Sequence, residues 1–183
     1  MKILGISGSS RQASFNTALL EEARRMLPQD TSLEIFDVSI FPLFSQDKER
    51  EQPSSVREFK QKIREADAIL IASPEHNYTI SAQLKNAIEW GNRPGGDNSW
   101  EGKPAAILSA SSGIRGGVRS QLHLRQIMVD LDMYPINEPE LLLGRAREVF
   151  DQNLRLKDDS ARQLLARVVE NLIAWAEKIG TNN

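Results

Sequence analysis

The chain has 183 residues, 40% of them hydrophobic and 26% charged, with a formal net charge of -2. This length suits one domain, residues 1–183, burying about 70% of its unfolded surface, and the charge excludes a global basic field that would recruit nucleic acid or anionic lipid. Cysteine is absent, which excludes disulfides, thiolate catalysis and cysteinyl iron–sulfur or zinc ligation.

The two histidines, His76 and His123, lie far apart in sequence, so a histidine metal cluster is not expected. No apolar run approaches the roughly 18 residues of a membrane span. The opening apolar stretch is short and broken by Gly5, so it reads as a buried strand and not as a leader. A cytoplasmic location is expected.

Apolar runs and helical patterns alternate along the chain. "KILGIS" reads as a first strand, followed by a helix with Leu19, Leu20, Ala23, Met26 and Leu27 on one face. "LEIFDV" is a second strand, and a loop with proline and charges leads into a helix through Val56, Phe59, Ile63 and Ala66. "AILIAS" is continuously apolar, as expected of a strand covered on both faces. A helix over about residues 80–91, the strand "AAILSA" and the helix "VRSQLHLRQIMVDL" follow. "PELLL" suggests a short fifth strand, and the last helix carries Leu164, Leu165, Val168, Val169, Leu172, Ile173 and Ile179. Five strands alternating with five helices predict an open, mainly parallel α/β sheet with helices on both faces.

In such sheets ligands sit beyond the carboxyl ends of the strands, where strand order reverses. Three polar loops fall there. "GSSRQASFN" follows the first strand, and its serines, Asn16, Thr17 and Arg11 can bond a phosphate at a helix N-terminus. It is neither a Walker A loop nor a dinucleotide fingerprint; a simple turn with Ser14 or Asn16 as helix cap is the alternative. "PEHNYTISAQ" follows the third strand and offers flat and polar groups, with a capped loop packing Tyr78 and Ile80 onto the next helix as the alternative. "SSGIRGG" follows the fourth, where glycines allow close backbone approach and Ser111 and Ser112 can bond the edge of a ring; taken by itself, a plain glycine-rich connection is the favoured alternative.

Together "GSSRQASFN", "PEHNYTISAQLKNAIEW" and "SSGIRGGVRSQLHLRQ" resemble the NAD(P)H-dependent FMN reductase family, the flavodoxin-like group with quinone and chromate reductases, over residues 1 to about 145. The resemblance implies a flavodoxin-like three-layer sandwich with a five-stranded parallel sheet in the order 2-1-3-4-5, and FMN at the switch point. Carried over by position, Ser9, Arg11, Ser14, Phe15, Asn16 and Thr17 would hold the phosphate. Pro74, Glu75, His76, Asn77 and Tyr78 would border the isoalloxazine ring, and Ser111, Ser112 and Gly113 would approach its polar end.

Two departures stand out. His76 occupies a position where the family usually has Tyr, and Ser81 and Ala82 replace a frequent Pro-Gly. The implied activity passes a hydride from NADPH or NADH through flavin N5 to a small-molecule acceptor such as a quinone, free flavin, azo compound or chromate. No obligatory catalytic side chain is implied, the cofactor supplying the reactive atoms. A flavodoxin-type electron carrier or a flavin-binding interaction module is the competing reading. Arg115 and Arg119 are candidates for the nicotinamide phosphates, with an exposed helix-face role as the equal alternative. A homodimer or homotetramer is implied, with Trp90, Trp100 and the "LKNAIEW" segment as one source of interface or, equally, as intramolecular core.

Overall fold

Strand β1, Lys2–Ser7, is an inner strand of the sheet in the computed structural model, which describes residues 1–180; the last three residues of the expected 1–183 unit lie outside them. It pairs in parallel with β2, Ser32–Phe36, on one side and β3, Ala68–Ala72, on the other. Beyond β3 comes β4, Pro104–Ala110. The fifth position is shared by two short segments that both pair with β4, β5 at Tyr134–Pro135 and β6 at Leu141–Leu143. The order is therefore 2-1-3-4-5, a flavodoxin-like sheet, with β6 continuing the last position.

"PELLL" thus supplies half of the fifth strand. The other half escapes the pattern because it is two residues long and ends in Pro135, which has no N–H for a ladder. β2 stops at Phe36 and not at Val38, because the Asp37 carboxylate accepts from the Ser39 amide at 2.9 Å and starts a 3-10 turn at Val38–Ile40.

The strands alternate their side chains between two apolar layers. Ile3, Leu33, Ala68, Leu70, Ala72, Ala106 and Leu108 face helices α1, Phe15–Arg25, and α6, Asp159–Gly180. Leu4, Ile6, Phe36, Ile69, Ile71, Ala105 and Ile107 face α2, Ser54–Glu65, α3, Ala82–Gly91, and α4, Val118–Asp130. A four-residue helix α5, Ala146–Val149, follows β6 and was not signalled by the sequence. Alanines on the first face let α1 and α6 lie close to the sheet.

Trp90 and Trp100 belong to the second core layer, 1% and 0% exposed, so neither supplies an interface. Their indole N–H groups are spent inside the fold, on the Pro42 carbonyl at 2.9 Å and the Ile88 carbonyl at 3.3 Å. Being large and amphipathic, they fill the core while keeping a polar partner.

Lys60, on α2, is also buried. Its ammonium donates to the Arg93 carbonyl and to Asp97 Oδ2, which Arg64 also contacts. Burial pushes the Lys60 ammonium below the ordinary lysine value, against the pull of Asp97. The folded-state value lies below the unfolded one, so this cost is carried in full at neutral pH and is relieved as pH rises through the lowered value. Asp97→Ala leaves the ammonium with one acceptor. Because Asp97 is itself partly exposed, urea unfolding should show a loss of about 1–2 kcal/mol, less than for a fully buried pair.

Candidate active site

β2 lies on one side of β1 and β3 on the other, so the loops leaving the carboxyl ends of β1 and β3 diverge and open a crevice. A cleft of about 250 Å³ lies there. Its walls are Ser9, Ser10, Arg11, Ser14, Phe15 and Asn16 from the first loop and helix start, Pro74, Glu75 and His76 from the second loop, and Ala110, Ser111 and Ser112 from the end of β4. Segments up to 103 positions apart in sequence meet in one small space (Ser9 to Ser112).

Thr17, Asn77, Tyr78 and Gly113 are not part of this wall. The Thr17 hydroxyl is bonded to the Ser7 hydroxyl at 2.8 Å, and the Gly113 carbonyl accepts from the Arg145 amide at 2.8 Å. Asn77 and Tyr78 form the tip of a turn. Ala110 was missed because an alanine at a strand end carries no side-chain signal.

The first loop is shaped by bonds within the protein. Ser14 Oγ accepts from the Thr17 amide at 3.2 Å and caps α1, so Ser14 serves as a helix cap as well as a wall residue. Asn16 is 4% exposed; its Nδ2 donates to the Ala110 carbonyl and its Oδ1 accepts from the Ala110 amide, both at 3.0 Å. The carboxamide thus acts as a one-residue strand that ties the loop to the end of β4. Gly8 lets the second loop approach: a Cβ there would lie 2.9 Å from Pro74 Cδ. Ser81, which caps α3, donates from its hydroxyl to the Gly8 carbonyl at 2.5 Å. That bond gives the departure from Pro-Gly a physical purpose.

The second loop is tied to α4. His76 and Thr79 exchange backbone bonds at 2.9 and 3.0 Å around Asn77 and Tyr78, whose φ values are 48° and 71°. Both sit in the left-handed region, readily reached by Asn and strained for Tyr. Glu75 accepts from the Arg119 amide at 2.9 Å and from Arg119 Nη1 at 3.3 Å, capping the start of α4. The Arg119 guanidinium lies 3.8 Å from the Tyr78 ring centroid, and His123 Nδ1 lies 2.8 Å from Thr79 Oγ1. Arg119 therefore helps to hold the loop through Glu75 and Tyr78. Glu75→Ala removes both bonds to Arg119; chemical denaturation should register a loss of about 1–2 kcal/mol.

The third loop lies flat against the backbone after β6. At Gly116, φ is 61° and a Cβ would come within 2.5 Å of the Leu142 carbonyl carbon, so no other residue fits. Beneath it Ser109 donates to the Gly116 carbonyl at 2.6 Å, and Gln121 Nε2 donates to Ser109 Oγ at 2.8 Å and to the Leu141 carbonyl at 2.9 Å. Sequence reading missed this buried support, since Ser109 and Gln121 sit in ordinary apolar patterns.

Several groups aimed at the cleft have no partner among the described residues. They are the Arg11 guanidinium, the Ser10 and Ser112 hydroxyls, and the Phe15 and Asn16 amides in the first turn of α1. A cation, hydroxyls and open amides at a helix N-terminus suit the chemistry of a phosphate monoester. Beside them Pro74, His76 and the Ser111–Ser112 backbone leave room for a flat ring with a polar edge, so the residues present fit FMN. A larger cavity of about 410 Å³ lies between α3 and α4, but its walls are helix sides with Lys85, Glu89 and Asp130, together with Arg93 just past α3.

A flavodoxin-like sheet with a cleft suited to FMN at its switch point fits a flavin-binding class of protein. Residues 1–148 match the sequence profile of NADPH-dependent FMN reductases, and the chain belongs to that family. It is 44% identical over 180 residues to an NAD(P)H-dependent FMN reductase of Pseudomonas aeruginosa, covering 98% of this chain and 97% of the relative. It is 41% identical over 186 residues to an NADPH:quinone oxidoreductase of Arabidopsis thaliana, covering 98% and 93%. Among solved structures it is similar to FerB, the flavoenzyme NAD(P)H:(acceptor) oxidoreductase of Paracoccus denitrificans, with a TM-score of 0.89, 28% identity and 97% of each chain covered.

Proposed function

We propose that the chain holds FMN in this cleft and uses it to carry reducing equivalents from NADPH or NADH to a small oxidised acceptor, a quinone first among them. The observation that carries the reading is the convergence of unpartnered Arg11, Ser10 and the α1 amides with the Pro74–His76 and Ser111–Ser112 walls. Arg11, Ser9, Ser10 and the Phe15 and Asn16 amides take the phosphate. Ser14 and Thr17 keep the helix start in place, and Asn16 ties it to β4. Pro74, Glu75, His76, Asn77 and Tyr78 border the ring, while Ser111, Ser112 and Gly113 approach its polar end.

The bound flavin supplies the hydride chemistry, and the protein supplies orientation and shelter. The three loops are each anchored to a neighbouring element, so the walls are set before a ligand arrives, which lowers the ordering cost of binding.

The unit is residues 1–183 as one FMN-binding domain, cytoplasmic, with no nucleic-acid or membrane partner. Among the described residues no helix is long and apolar enough to cross a membrane. Leu122 and Val129, one face of α4 apart by two turns, are 56% and 81% exposed. They support a homodimer or homotetramer, which sedimentation at micromolar concentration checks: a clean monomer removes it.

The activity is tested with the FMN-loaded protein alone, NADPH or NADH, and a benzoquinone. The reading predicts nicotinamide oxidation dependent on the quinone with no second protein present. Turnover that appears only after a separate reductase is added would make the chain an electron carrier.

A further inference from the structure

We infer that His76 is the proton donor to the reduced acceptor, a role that rests on the functional reading above. Two-electron reduction of a quinone needs more than a hydride. Hydride delivery leaves a negative charge on the product oxygen, and a proton must reach that oxygen to give the hydroquinone.

Among the side chains that line the cleft itself His76 suits this task; Tyr78, on the same loop, is not in the cleft wall and lies under the Arg119 guanidinium. Hydroxyls and carboxamides do not release protons near neutral pH, and a guanidinium is not a proton donor of this kind in proteins. Both Glu75 carboxyl oxygens are taken up as acceptors by the Arg119 amide and guanidinium. Phe15, Pro74 and Ala110 carry no proton to give. Histidine is the side chain whose ordinary titration falls between pH 5 and 8.

The geometry is arranged for it. The His76 backbone is pinned by two bonds to Thr79, while its exposed ring makes no hydrogen bond within the protein and lines the cleft. The charged and titratable groups around it are Glu75 and Tyr78 on its own loop, Arg11 across the cleft, and Arg119 and His123 on α4 behind the loop. Arg119 is neutralised by Glu75 and stacked on Tyr78, so the ring keeps an open face to the cleft and to solvent.

In the step, the N–H bond of the protonated imidazole breaks and an O–H bond forms on the product oxygen. The nicotinamide is oxidised by two electrons, the quinone is reduced by two, and the imidazole regains its proton from water.

The test compares FMN-loaded wild type and His76→Gln with a benzoquinone and with ferricyanide, which takes electrons without protons. The ratio of quinone to ferricyanide turnover should fall about 100-fold in the variant, and the decline of quinone turnover with rising pH should flatten. A second readout does not depend on turnover. The wild type has two histidines, and the imidazole resonances of His76, assigned by their loss in the variant, should shift when hydroquinone is added to the oxidised FMN-loaded protein.

An unchanged turnover ratio, or a His76 resonance blind to hydroquinone, overturns the assignment while leaving the flavin reading intact. A wild type that takes up no FMN overturns both.

Discussion

Asn16→Ala should lower unfolding free energy by about 2–4 kcal/mol, because it leaves the Ala110 amide and carbonyl without partners in a buried site. The same change should weaken flavin binding at least tenfold, since the first loop loses its tie to β4. The two bonds join residues separated by 94 positions, so their loss frees two walls of the cleft at once. Asn16→Asp should not rescue the fold: a carboxylate accepts from the Ala110 amide but also faces the Ala110 carbonyl with no proton to donate. Urea unfolding followed by circular dichroism and a flavin titration check the two effects. Wild-type stability with weakened flavin binding would mean that Asn16 contacts the ligand and does not carry the loop.

Arg11→Ala should do the opposite. The guanidinium makes no bond within the protein and is exposed, so its removal should leave unfolding unchanged within experimental error. Flavin affinity should fall by roughly tenfold to a hundredfold, the worth of a charge-assisted bond to phosphate. Riboflavin, which lacks the phosphate, should bind the variant and the wild type alike. Equal FMN affinity in both proteins would return the first loop to a plain strand–helix turn. Ser14→Ala is a poorer probe of the same question, because Ser14 caps α1 and its loss confounds binding with stability.

Much of the frame was readable because it rests on local patterns. Continuous apolar character marked β1, β3 and β4, and the 3.6-residue repeat marked the major helices. The three loops were singled out by composition and by their place after the strands, and the structure brings their wall residues into one cleft. What was not readable depends on pairing across long separations. Asn16 carries no mark that its carboxamide will meet Ala110, and Glu75 none that Arg119 will reach it from 44 positions away. The same limit explains Trp90 and Trp100, whose size suits a core and an interface equally until the neighbouring helices are placed. The divided fifth strand was lost for a different reason, since two- and three-residue segments are too short to show a period.

The cleft and its flavin are tested most directly by one spectrum. The protein is loaded with FMN, passed through a desalting column, and mixed anaerobically with NADPH or NADH. A perturbed flavin band that stays with the protein and bleaches on mixing is the predicted result. Loss of the flavin on the column, or a retained band that stays oxidised with both nicotinamides, would contradict it.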